Sequence, residues 1–115
     1  MIRLGDTFEG YDDRRRLYVV LSEPTADNNL ALVNLISHYP HLPLHDPACV
    51  IIHPSEHPWI RRESCVFYEG AVLESRLILE TDLDSADLQR HPHFPPQLLS
   101  RIQLGRLLRR GSLLK

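Results

Sequence analysis

Cysteine is scarce in this chain: Cys49 and Cys65 are the only two, and no C-x-x-C pair exists. On the cysteines, that excludes a zinc ribbon and a thioredoxin-like redox motif. Each lies in an apolar run, where the side chain behaves as a small hydrophobe, so both are expected to be free, buried thiols. Long apolar runs are also missing. The longest are of strand length, far short of the ~20 residues that cross a bilayer. Met1-Ile2-Arg3-Leu4-Gly5-Asp6 lacks the apolar core of a secretion signal, so a cytoplasmic location with no membrane partner is expected. There is no H-E-x-x-H, no Gly-rich phosphate loop and no G-x-S-x-G, so zincin, nucleotide-hydrolase and serine-hydrolase chemistry have no motif to rest on. Seven histidines are present. His53 and His57 are four apart, but Pro54 and Pro58 oppose a helix there, and the spacing loses its metal-ligand meaning. His91 and His93 flank Pro92. No metal and no cofactor is expected.

What is present fits one soluble globular domain. The 115 residues are 43% hydrophobic and 24% charged, close to ordinary globular usage. Charge is uneven along the chain. Residues 1–94 carry 8 Lys and Arg against 15 Asp and Glu, a balance of −7, whereas 95–115 carry 5 basic residues and no acid. An acidic body opposes broad affinity for a phosphate polymer but leaves room for a local cationic groove.

The apolar pattern is that of short strands between turns. Gly5 to Phe8 reads as an opening strand. Leu17 to Ser22 and Leu30 to Ser37 are nearly continuous apolar runs, as strands covered on both faces would be. Asp27-Asn28-Asn29 supplies a turn between them. Three prolines within His38 to Pro47 rule out regular structure there. Ala48 to His53 reads as a third long strand. Ser64 to Tyr68 is another, extended by Ala71-Val72-Leu73 past a bulge or bend at Gly70. Leu77 to Leu79 fits either a strand or a helix start, and Asp84 to Leu88 suits a short helical turn. Pro96 suits a first helical position, and a helix over 95–110 is expected to end at Gly111. Its apolar residues do not form one stripe, since Leu98, Leu99 and Ile102 face away from Leu104, Leu107 and Leu108. A kink at Gly105, or burial of both sides, would reconcile them. The expected fold is mainly β: a small SH3-like barrel of about five or six strands with a C-terminal α-helix, in one domain spanning 1–115.

A resemblance attaches to two of these strands. Arg16-Leu17-Tyr18-Val19-Val20-Leu21-Ser22, followed by Leu32-Val33-Asn34-Leu35-Ile36-Ser37, resembles the paired core strands of the PemK/MazF-type growth-inhibitor toxins. The likeness spans about half of the chain. It departs from the family pattern where Leu17 replaces a usual Pro and Ile36 a usual Thr. The segment with His57-Pro58-Trp59-Ile60, Ser64 and Tyr68 is similar to an uncharacterised bacterial group related to these toxins. The resemblance implies an SH3-like barrel, a homodimer, an antitoxin protein as partner, and metal-independent cleavage of an RNA substrate.

Such cleavage needs a base for the ribose 2′-hydroxyl, an acid for the leaving oxygen and a cation for the phosphorane. Arg16, or Arg14 or Arg15 in the same loop, suits the cation. Ser37 can hydrogen-bond a phosphate oxygen, and His38 or His57 can move protons near neutral pH. Each has a plainer reading beside it. The arginines adjoin Asp12 and Asp13 in a solvated loop, His38 points to solvent, and His57 ties a loop to a backbone carbonyl. Trp59 and Ile60 plug a barrel mouth, or Trp59 stacks on a base or anchors a protein. The alternative function is a non-catalytic interaction module that binds a partner through the Trp59 surface or the C-terminal helix.

Overall fold

The computed structural model describes residues 1–10, 16–39 and 50–113, with side chains placed for all of these except 106–113. The strands are β1 (Thr7–Glu9), β2 (Leu17–Val20), β3 (Asn29–Ser37), β4 (Ile51–Ile52), β5 (Ser64–Ser75) and β6 (Gln89–His91). Two α-helices, α1 (Arg76–Asp84) and α2 (Pro96–Leu113), and a 3₁₀ turn at Pro54–Glu56 complete the described elements. The six strands form one antiparallel sheet in the order β4-β5-β3-β2-β1-β6. The fold is therefore mainly β with a C-terminal helix, and the sheet curls into a half-barrel. The two oily segments are neighbours, with Tyr18 opposite Asn34, Val19 opposite Val33 and Val20 opposite Leu32.

Both faces of the sheet are covered, which accounts for the unbroken apolar runs of β2 and β3. On the concave face, Leu17, Val19, Val33, Leu35 and Val66 pack against Phe94 and the α2 residues Leu98, Leu99 and Ile102. On the other face, Phe8, Val20, Leu30 and Leu32 pack with Ile2, Leu79 of α1 and Leu88. Alternation along each strand divides its side chains between the two cores.

The β5 strand bends where expected. Leu32 pairs with Val72 and Asn34 with Phe67, so β5 carries extra residues across Gly70. A Cβ on Gly70 would lie 2.5 Å from the Phe67 ring, which explains the absence of a side chain there. Leu77 to Leu79 is helical rather than extended, because Ser75 caps α1 by accepting a hydrogen bond from the Ile78 N–H. The helical turn expected from Asp84 is instead the end of α1, and Ser85 is its C-cap. The third long strand shrinks to Ile51–Ile52, and Ala48 and Cys49 lie outside the described residues. Cys65 is buried.

The C-terminal helix runs through both Gly105 and Gly111, and reaches Leu113. Gly105 is a contact point. A Cβ there would run into the Tyr68 hydroxyl and come within 2.6 Å of Val50. The missing side chain lets the helix backbone approach β5 closely enough for the Tyr68 hydroxyl to donate to the Ile102 carbonyl at 2.7 Å. Of the second apolar side, Leu104 is exposed, and the Leu107 and Leu108 side chains lie outside the description. Arg101 donates to both the Glu56 carboxylate and, at 2.7 Å, the Ile51 carbonyl, fastening α2 to the chain after β4.

The segment after β4, at one edge of the sheet, reaches β1 and β6 at the other. His57 bonds the Pro92 carbonyl and Trp59 bonds Glu9. Side chains rather than a strand ladder thus bring the two edges together. No helix among the described residues is long and apolar enough to cross a membrane.

Candidate functional site

One end of the concave face opens into a cleft of about 510 Å³, lined by Glu9, Ser37, Trp59, Arg61, Arg62, Ser64 and His91 among others. A connected hollow of about 330 Å³ shares Ser37, Trp59 and Ser64 and adds Arg16. The topology explains the gathering. Ser37 continues the concave-facing series Val33, Leu35 on β3, and Ser64 is its direct partner on β5. Glu9 stands opposite Leu17 on β1. These positions are where four strands run out of apolar residues at the same mouth.

Of the residues expected from sequence, Arg16, Ser37 and Trp59 come together here. Arg16 sits at the rim, and also borders a groove of about 420 Å³ on the opposite face, lined by Phe8, Tyr18, Phe67 and Ile78. Ser37 is exposed. Ser64 donates its hydroxyl to the Arg62 carbonyl at 3.1 Å and keeps its lone pairs, so a second hydroxyl stands across from Ser37. Arg14 and Arg15 lie outside the described residues. His38 is half-buried, its N–H donates to the Glu63 carbonyl at 2.9 Å, and it does not line the cleft.

His57 lies beneath the cleft and is 3% exposed. Its Nε2 is 2.6 Å from the Pro92 carbonyl, and its Nδ1 accepts the Trp59 N–H at 3.1 Å. An Nδ1 that accepts has no proton, so Nε2 carries it and the ring is neutral. Burial pushes its pKa below the ordinary 6.5, with a further push from His91, against the opposing pull of the Pro92 carbonyl. Phe94 meets the ring edge-on, with centroids 5.0 Å apart. In this arrangement His57 holds the loop, and neither ring nitrogen faces a ligand.

Two residues of the cleft had no signal in the sequence. Glu9 Oε1 accepts the Trp59 indole N–H at 3.1 Å and lies 3.1 Å from His91 Nε2. Glu9 pairs with Gln89 and Thr7 with His91, so Glu9 and His91 are diagonal neighbours on one face of the β1–β6 ladder. β6 is only three residues, Gln-Arg-His, with no apolar alternation to announce a strand. Its docking depends on contacts from far along the chain. Arg90 pairs with Asp6 at 2.9 Å, and the Pro92 carbonyl accepts from Thr7 Oγ1 at 2.7 Å as well as from His57.

The cleft combines three guanidinium groups, two hydroxyls, a half-buried indole and a carboxylate–imidazole pair. Guanidinium and hydroxyl groups suit a phosphate, and the indole offers a stacking face. Among the described residues, no group of three or more His, Cys, Asp and Glu is arranged to hold a metal ion. Comparison with protein-family models, with curated proteins and with solved structures finds no match to this chain.

Proposed function

We propose that the chain is a toxin-like endoribonuclease of the PemK/MazF type, with an SH3-like barrel whose cleft holds a phosphodiester of single-stranded RNA. The reading is carried by the meeting of Arg16 and Ser37, from the two segments that bear the family resemblance, with Trp59 at one mouth. In this reading Arg16 contacts the phosphate, with Arg61 and Arg62 beside it. Ser37 and Ser64 hydrogen-bond its oxygens, and Trp59 stacks on an adjacent base. Cleavage proceeds by attack of the ribose 2′-hydroxyl on phosphorus, which makes a 2′,3′-cyclic phosphate and a 5′-hydroxyl and calls on no metal. An antitoxin and a second copy of the chain are the partners this function requires.

The single Trp lies in the cleft, so its fluorescence reports occupancy. Titration with a single-stranded RNA carrying 2′-O-methyl groups, which bind without being cut, is expected to change Trp59 emission saturably. Arg16→Ala is expected to weaken binding by about tenfold or more, the usual worth of a hydrogen bond to a charged group. Induced expression is expected to arrest growth, and Arg16→Ala to relieve it. No emission change and no growth arrest would reject the proposal.

A second reading is a non-catalytic module. It is favoured by Val72 and Ile78, two exposed apolar side chains that border the same groove on the face opposite the cleft. Protein binding through this face with no RNA cleavage would be its signature.

A further inference from the structure

Resting on the ribonuclease reading, we propose that His91 is the general base of the cleft and that Glu9 is its positioning residue. Glu9 Oε1 already accepts the Trp59 indole N–H, so the oxygen acts as an acceptor toward His91 also. Nε2 of His91 therefore carries the proton and donates it to Glu9 across 3.1 Å. Nδ1 is left with its lone pair, and no described residue bonds to it. A base whose far nitrogen is held by a carboxylate is the arrangement that fixes an imidazole's tautomer and supports its charged form.

The surroundings make the pair a built site. Both side chains are mostly buried, at 14% exposure for Glu9 and 17% for His91, yet both line the cleft with Ser37, Arg61 and Arg62. The Trp59 ring stands edge-on to the His91 ring at 6.4 Å. The next carbonyl along the chain, that of Pro92, is fixed by Thr7 and His57. Among the described residues, the charged or titratable groups about His91 are Glu9 from β1, His57, and Arg61 and Arg62 of the cleft lining.

The step balances without a cofactor. His91 Nδ1 takes the proton of the ribose 2′-hydroxyl as the 2′-oxygen bonds to phosphorus. The bond from phosphorus to the 5′-oxygen breaks, its electron pair stays on that oxygen, and solvent water in the open cleft supplies the proton. The hydroxide left behind recovers the proton from the His91 imidazolium. The net change is RNA to a 2′,3′-cyclic phosphate and a 5′-hydroxyl.

The test uses the full chain and a single-stranded RNA, with its 2′-O-methyl form as the binding probe. His91→Gln is expected to slow cleavage by about 10²–10⁴-fold, the typical worth of a general base, while Trp59 emission still reports binding within about threefold of the parent. Glu9→Gln, which keeps an oxygen for Trp59 but loses the charge, is expected to lower kcat and leave KM unchanged. Circular dichroism of both variants checks that the sheet is intact. If the parent cleaves RNA and folded His91→Gln cleaves as fast, the proposal is overturned and the ribonuclease reading stands. If Glu9→Gln raises KM alone, Glu9 is not a positioning residue for the base. If the parent binds and cuts no RNA, the reading fails and this inference with it.

Discussion

Both ring nitrogens of His57 are engaged inside the fold, which makes its stability contribution pH-dependent. Its folded-state pKa lies below the ordinary 6.5 because burial penalises the charged ring. The unfolded chain therefore takes up the proton first. The contribution is fully present above about pH 6.5 and is lost as pH falls through the ordinary value toward the folded one. Denaturant unfolding is expected to give a lower midpoint at about pH 5 than at about pH 8, and His57→Ala is expected to remove this part of the difference. The same substitution is expected to cost about 1–3 kcal/mol at neutral pH, because it deletes two hydrogen bonds, while Thr7 still donates to the Pro92 carbonyl. Of the side chains nominated from sequence, Arg16 and Ser37 were legible as neighbours because they flank paired apolar strands, whereas the place of Trp59 beside them depends on the loop after β4. His57 was legible as a loop anchor. Glu9 and His91 were not, since 82 residues separate them and the strand that carries His91 has no apolar signature of its own.

At the scale of elements, the strands β2 and β3 were legible from unbroken apolar runs, and the β5 bend from Gly70. Two elements were left open or unseen for physical reasons. Leu77 to Leu79 is too short for periodicity to decide between strand and helix, and the cap at Ser75 settles it as helix. The tripeptide of β6 has no apolar face, so its pairing is set by Asp6, Thr7 and His57 rather than by its own sequence. The C-terminal helix needed neither of its glycines as a stop. Gly105 instead makes room for Tyr68, and Gly105→Ala sets two effects against each other. Alanine favours a helix over glycine by about 1 kcal/mol. The added methyl would have to displace the Tyr68 hydroxyl and Val50, and overpacking of this kind costs about 1–3 kcal/mol. Backbone atoms of α2 cannot retreat without lengthening the Tyr68–Ile102 hydrogen bond, so the clash wins. Thermal unfolding of Gly105→Ala is expected to come earlier than in the parent; a later transition would show that the helix shifts freely on the sheet.

Across the whole molecule, an acidic chain carries a mouth whose described lining includes Arg16, Arg61 and Arg62 and one carboxylate, Glu9. Three cations at one cleft suit a short stretch of backbone rather than a long polymer track. RNA affinity is accordingly expected to fall with salt at a log–log slope of about −2, from roughly 0.7 counterions per phosphate on a single strand. The slope is expected to shrink by about 0.7 when Arg16 is replaced by Ala. Of the positive tail, Arg101 is committed to Glu56 and Ile51. The division of the sheet into two cores was legible from the apolar runs, whereas the location of the mouth was not, because it depends on the loop after β4 reaching the far edge. The most direct test of the account is an amide and indole shift map of the labelled protein with the 2′-O-methyl RNA. Shifts are expected at Glu9, Arg16, Ser37, Arg61, Ser64, His91 and the Trp59 indole. Shifts confined to the opposite groove around Tyr18, Phe67 and Ile78, or none at all, would contradict it.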